Sequence, residues 1–311
     1  MILGEILRKS IRALLANLTH ASRHRPRLEE PGFASIRFES GDETPLTGWT
    51  YQAPGRQCTS GTVILTHGFC ENSASLVAEA KALSAAFGLL ALAFDHRLHG
   101  LSGDGLPTFG SAEAFDIQAA MDYADRFSLP KPYIVQGTSL GAMGAQRAGI
   151  KDSRIAGLLL LGCPGWPWDA IGVEIGQLNP VLVPIGLLVN AYYGWDILGD
   201  GDIRAHHQPE GHQPLVCYVM GMEDHYGITS TRQAYAHWRG AGAENQFPTE
   251  TPGTCKWFWA LPGIAHPRSA GGQLRQWWGF ERLQREFYER VLAEAKSRTA
   301  YRCPPAVIDS K

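Results

Sequence analysis

Residues 134–144 read "IVQGTSLGAMG", an apolar, β-branched run that stops at a serine fenced by glycines. The run has the character of a strand, and the spacing Gly137, Ser139, Gly141 fits the G-x-S-x-G elbow. In that elbow a strand turns abruptly into a helix and holds its serine in a strained backbone conformation. Side chains at the two flanking positions would collide, and Ala142 and Gly144 keep the start of the helix thin where it is expected to pass close to neighbouring strands. A chain with 35 glycines matches five residues cheaply, so partners for the serine have to be found elsewhere. Without them the stretch is only a glycine-rich turn with a solvated serine.

The surroundings supply the right order of elements. "FASIRFES" (33–40) and "TPLTGWTYQAP" (44–54) alternate as antiparallel strands do, with Gly41 and Asp42 in the turn between them. The texture then changes to short, nearly continuous apolar runs: "TVILTHGF", "LLALAFDHR", "PYIVQGTS", "IAGLLLLGCP" and "PLVCYVMGMED". Such runs mark strands buried on both faces. Helix-like segments at 73–87, 111–127 and 140–150 separate the first four, which predicts a mostly parallel central sheet covered by helices on both faces, an α/β fold. A last strand, "CKWFWALPG", and a closing helix over roughly 272–296 complete the series. The rhythm breaks at 166–213, a Trp- and Pro-rich stretch too long for an ordinary connection and read as an inserted cap. A Gly- and Thr-rich interruption at 240–254 reads as an exposed loop. The resulting organisation is an N-terminal amphipathic helix or extension (1–30), a core (31–165 and 214–298), the cap, and a polar tail (299–311).

Composition narrows the function. At 311 residues and 44% hydrophobic, the chain can bury one large core. A formal net charge of -2 with 19% charged residues gives no basic field for nucleic acid. The six cysteines (58, 70, 163, 217, 255, 303) form no C-x-x-C pair, so neither a zinc site nor a thioredoxin-like motif is indicated, and no metal or cofactor is expected. Cys163 and Cys217, in strand-like runs, are expected to be buried thiols. At the N-terminus, Glu5, Arg8, Lys9 and Arg12 interrupt the apolar core a secretory signal requires, which points to a cytoplasmic protein. Apolar residues at 3, 7, 11, 14, 15 and 18 recur at helical spacing. That helix is expected to pack on the protein itself or on a second subunit, with peripheral membrane contact as the other reading. The uncharged run 175–195 is long enough to span a bilayer, but Asn179, Pro180, Pro184 and Asn190 argue for a lid over an apolar pocket instead.

A serine hydroxyl needs a base, and the base needs a group to fix its tautomer. In an open parallel sheet, reactive groups collect beyond the carboxyl ends of the strands. Asp224 stands there after "VCYVMGME" and His266 after "WFWALPGIA". Glu223 beside it and Asp196, Asp200 and Asp202 in the cap region are rival acids. A tetrahedral oxyanion would need two N–H donors, which the spacing assigns to Leu140, directly after the serine, and Phe69, in the "THGFCEN" loop. His67 reads as a brace of that loop.

These residues together resemble the serine α/β-hydrolase superfamily and, within it, the Bem46-like branch. From about Gly48 to His266, "VILTHGF" resembles the HG oxyanion motif and "GTSLGAMGA" the elbow. "FDHRLHGLSG" resembles D-x-R-G-x-G-x-S, and "TFGSAEAFDIQAAMDYA" is similar to the helix that follows it in that branch. The resemblance implies the α/β-hydrolase fold and hydrolysis of a small-molecule carboxylic ester by Ser139, His266 and Asp224. Asp95 and Arg97 would brace the loop beside the site, and Glu113 and Asp116 the next helix. Trp166, Trp168, Leu188 and Tyr192 would give the cap an apolar face suited to an acyl or aromatic group. Peptidase, thioesterase and acyltransferase chemistry use the same triad, and a non-catalytic binding role is the reading from another class. A peptidase would need a site for a charged terminus, and none can be named from the sequence. The chain departs from the pattern at Leu98, where the branch usually has glycine; if that glycine serves a positive φ, the loop is expected to be rebuilt here.

Overall fold

The computed structural model describes residues 9–10, 13, 15–24, 26, 28–55, 59–164, 214–221, 224, 256–261 and 279–302. Eight strands, β1 (Phe33–Glu39), β2 (Pro45–Tyr51), β3 (Thr62–Thr66), β4 (Leu90–Phe94), β5 (Tyr133–Thr138), β6 (Ile155–Leu161), β7 (Leu215–Gly221) and β8 (Lys256–Leu261), form one sheet in the order β1-β2-β4-β3-β5-β6-β7-β8. β2 is antiparallel to both of its neighbours, and every pairing from β4 to β8 is parallel. The described helices are α1 (Val77–Phe87), α2 (Ser111–Arg126), α3 (Leu140–Lys151) and α4 (Phe280–Arg302). This is the α/β-hydrolase fold that the motifs imply.

The continuous apolar runs have the expected cause. In β6, Leu158 and Leu160 face the cluster built with Ile117 and Met121 of α2 and Met143 of α3. Leu159 and Leu161 face the opposite cluster, with Leu83 of α1 and Phe280 and Phe287 of α4. A strand covered on both faces favours an apolar residue at every position, and each buried leucine contributes roughly 1.5–3 kcal/mol. Cys163 and Cys217 are buried, and burial pushes both thiols up.

One polar knot interrupts the second cluster. Gln136 of β5 donates Nε2 to Oε1 of Glu79 on α1 (2.8 Å), and Tyr288 of α4 donates its hydroxyl to Gln136 Oε1 (2.8 Å). Gln284 of α4 donates to both Glu79 and Gln136. All four side chains are buried, so satisfied hydrogen bonds are what make the burial tolerable.

The N-terminal segment lies on the domain itself. Residues 15–18 are helical and run into a 3-10 turn, His20–Arg23. Leu15 is buried in the cluster beneath α2 and α3, and Leu18 packs against it. α4 continues to Arg302, four residues into the stretch expected as tail. The cap at 166–213 and the loop at 240–254 lie outside the described residues. Among the described residues no helix is long and apolar enough to cross a membrane.

Candidate active site

The elbow forms where β5 meets α3. Ser139 sits between them with φ 49° and ψ -111°, a left-handed conformation unusual for a residue with a side chain. Close packing holds it there. A Cβ on Gly137 would fall 2.6 Å from the Gly141 carbonyl oxygen, and one on Gly141 would fall 2.6 Å from Thr66 Oγ1. The tightness at Gly144 is of another kind than expected: a Cβ there would meet the Glu113 Cβ at 2.7 Å, so the thin side of α3 faces helix α2 and not a strand. The Ser139 N–H donates to Leu161 O (2.8 Å), which ties the elbow to β6. Ser139 is half-buried while Thr138 and Leu140 on either side are buried.

The loop after β3 faces the elbow. Gly141 N–H donates to His67 O (3.1 Å), and a Cβ on Gly68 would lie 3.6 Å from the Ser139 Cβ. Gly68 N–H goes to Glu71 Oε2 (3.2 Å), Cys70 N–H to His99 Nε2 (3.2 Å) and Glu71 N–H to Gly68 O (3.3 Å). Between them, the N–H of Phe69 has no acceptor among the described residues, and neither has the N–H of Leu140 at the start of α3. Both amides assigned to an oxyanion are thus without an acceptor among the described residues.

Three buried histidines underlie the loop. His67 is the expected brace: Nε2 accepts the His96 N–H (2.9 Å), so Nδ1 carries the proton and donates to Gly68 O (2.8 Å). His99 repeats the pattern, with Nδ1 donating to Arg97 O (2.8 Å) and Nε2 accepting from Cys70. Burial drives His67 well below the ordinary histidine range, helped by the neighbouring His96 and His99 rings. It also takes His99 down to about 3 against the opposing hydrogen bond to Arg97 O. The Phe69 ring meets His99 edge-on (5.5 Å between centroids, 74°) and leans on Phe109 (5.3 Å). The part played by His99 was missed from the sequence, although a second histidine two residues beyond Arg97 was the signal for it.

The stretch after β4 is a brace, as the motif implies. Asp95 accepts Ser73 N–H (2.8 Å) and Leu101 N–H (2.9 Å). Arg97 reaches Asp116 on α2 with two nitrogens and Asp42 with two more contacts. Glu113 accepts from Thr108 N and Gly110 N, closing the start of α2. The rebuilding expected at Leu98 does not occur. Leu98 itself takes φ 63°, with its N–H on Gly103 O (2.8 Å) and its side chain buried. The strain is offset by burying a leucine where a glycine would bury nothing.

Asp224 lies three residues beyond β7, buried, with its N–H on Gly221 O (3.3 Å). Because β5 and β7 run parallel, Asp224 leaves the sheet at the same edge as Ser139. β8 is parallel to β7, so the chain leading to His266 departs from that edge as well. His266, Trp166, Trp168, Leu188 and Tyr192 lie outside the described residues. Among the described residues, no cluster of three or more His, Cys, Asp or Glu could hold a metal ion.

The class this architecture defines is that of the α/β-hydrolase fold, with an elbow serine at the carboxyl edge of the sheet. The profile of a family described as serine aminopeptidase, S33, matches residues 57–187. Among solved structures the chain is similar to an esterase of Pyrococcus furiosus, at 20% identity and a TM-score of 0.58, covering 84% of this chain and 93% of that one. It is also similar to brefeldin A esterase, a bacterial homologue of human hormone sensitive lipase, at 16% identity and a TM-score of 0.61, covering 92% and 86%. An alpha-beta hydrolase from Vibrio vulnificus matches at 15% identity and a TM-score of 0.62, covering 88% and 92%. No curated protein matches the chain.

Proposed function

We propose that the protein is a serine hydrolase that cleaves carboxylic esters through an acyl-enzyme. The observation that carries this reading is the strained Ser139 at the β5–α3 turn, half-buried in otherwise buried surroundings. Strain of this kind costs about 1–3 kcal/mol and persists where the surrounding structure enforces it, most often at working sites. Ser139 attacks the ester carbonyl, and His266 takes its proton and returns it to the leaving alcohol. Asp224 fixes the tautomer of His266, and the N–H groups of Phe69 and Leu140 receive the oxyanion. Their lack of other acceptors among the described residues supports that assignment.

The esterase neighbours favour an ester over other acyl substrates. The D-x-R-x-x-G-x-S stretch and the helix after it favour the Bem46-like branch. The stretch 166–213 serves as a cap in this reading, with Trp166, Trp168, Leu188 and Tyr192 toward an apolar acyl or aromatic group. The matching family profile favours a second reading, in which the same triad cleaves the amide of an amino-terminal residue.

One assay separates them. The wild type and Ser139→Ala are compared on p-nitrophenyl esters from acetate to palmitate and on aminoacyl p-nitroanilides. Ester hydrolysis that vanishes in the variant supports the esterase reading, and turnover confined to the anilides moves the assignment to the aminopeptidase. Equal rates in both proteins would refute both.

A further inference from the structure

If Phe69 supplies an oxyanion donor, whatever fixes residues 68–72 fixes the angle of that N–H. The N-terminal segment lies across this loop. The Cys70 thiol donates to Leu18 O (3.3 Å), and Asn72 Nδ2 donates to Ser22 O (2.9 Å). Arg23 donates to Ser102 O (2.6 Å) and pairs with Asp104. The segment can bear a load, because Thr19 and Ser22 are buried and fold back on its own carbonyls through Thr19 Oγ1 to Leu15 O (2.9 Å) and Ser22 Oγ to Thr19 O (2.7 Å).

These contacts converge. The stretch that Arg23 holds is the one that carries His99, which takes the Cys70 N–H from beneath. Residues 70–72 are therefore gripped from below by His99 and from outside by the segment, and Arg23 ties the two grips together. Apart from the seating of Leu15 and Leu18, the ties end on the 67–72 loop and on the stretch that carries His99, and not on the sheet.

We infer that the N-terminal segment is a clasp that positions the oxyanion loop, with Asn72 and Arg23 as its positioning residues; this rests on the ester-hydrolase reading above. The fitting substitution is Asn72→Asp. It keeps the Oδ1 that accepts the Ala74 N–H (3.0 Å) and turns the Nδ2 donor into an acceptor facing Ser22 O. Arg23→Gln opens the other tie, and Arg23→Lys restores a cation.

In the full chain, active sites are counted with a fluorophosphonate and kcat per site is measured on p-nitrophenyl butyrate, with hydrogen–deuterium exchange followed across residues 67–73. A small misplacement of a donor is expensive, so Asn72→Asp and Arg23→Gln are each expected to lose about tenfold in kcat per site. KM should stay within about twofold, exchange in the loop should quicken, and Arg23→Lys should recover most of the rate. A purely structural segment would lower the number of titratable sites and leave kcat per site intact, which overturns the inference. Loss of kcat without faster exchange overturns it too. A wild type that neither hydrolyses the ester nor reacts with the fluorophosphonate refutes the ester-hydrolase reading instead. Exchange then tests only the tie between segment and loop: quickened in both variants the tie stands, and unchanged the clasp falls.

Discussion

The N–H of Cys70 ends on Nε2 of His99, 3.2 Å away, and the other ring nitrogen of His99 donates to Arg97 O at 2.8 Å. The ring must therefore be neutral and of one tautomer to hold the residue next to Phe69. His99→Phe keeps a ring and removes the acceptor, and it is expected to lower kcat on p-nitrophenyl esters about tenfold with little change in KM. His99→Gln places an amide oxygen near the lost nitrogen and should keep most of the rate. Full activity in the phenylalanine variant would show that His99 only fills space.

Acid should weaken the fold before it reaches the carboxylates. His67 and His99 have folded pKa values depressed below the ordinary 6.5, His99 to about 3. The unfolded chain thus binds protons that the native state refuses. For His99 this stability is intact above about pH 6.5 and is lost as pH falls toward 3, by up to roughly 1.4 kcal/mol per pH unit, and His67 acts in the same direction. Urea midpoints at pH 7.5, 6 and 5 should fall steadily in the wild type and less steeply in His99→Gln. Parallel slopes in the two proteins would remove His99 from the explanation.

Arg97 and Asp116 are both buried, and Arg97 meets the two carboxylate oxygens at 2.6 and 3.1 Å. Burial raises the Asp116 pKa, but contacts from His96 and Arg97 outweigh it and hold the group below its ordinary 3.8. Its stabilising effect is present above that ordinary value and disappears as pH falls through the folded one. Asp116→Asn leaves a buried guanidinium short of a counter-charge and should cost about 3–5 kcal/mol in urea unfolding at pH 7. A loss under about 1 kcal/mol would mean that Asp42 alone suffices for Arg97.

Leu98→Gly sets strain against packing. Relieving the left-handed backbone returns about 1–2 kcal/mol, and deleting a buried leucine costs about 2–5 kcal/mol. The lost packing outweighs the relieved strain, so the variant is expected to be less stable, although glycine suits the local φ of 63° better. A rise in Tm would reverse that ordering.

The sheet was legible because its grammar is local. Runs such as "IAGLLLLGCP" are apolar at every position, since alternate leucines of β6 serve opposite cores. The elbow was legible for a related reason: atoms at 2.6 Å from a hypothetical Cβ exclude every residue but glycine at 137 and 141. What escaped was set by contacts distant in the chain. Whether Leu98 would keep a left-handed backbone depended on the pocket that receives its side chain, which no window around residue 98 displays. The work of His99 depended on a loop 29 residues earlier. That Gly144 would meet α2 and not a strand depended on how two helices lie across the sheet. The proposed triad order Ser139, Asp224, His266 comes from strand exits alone; the exits of Ser139 and Asp224 share one edge of the described sheet, and His266 lies outside the described residues.

The knot of Glu79, Gln136, Gln284 and Tyr288 carries a consequence for the chain as it is made. Glu79 and Gln136 leave the ribosome well before Gln284, which lies 205 residues beyond Glu79. Until α4 docks, this face of β5 lies open with the Gln136 amide and, on neighbouring α1, the Glu79 carboxylate still hydrated, on a sheet surface otherwise rich in leucine, valine and isoleucine. Assembly of that face is therefore a late event in biosynthesis, and a nascent chain halted before α4 presents the surface that chaperones hold.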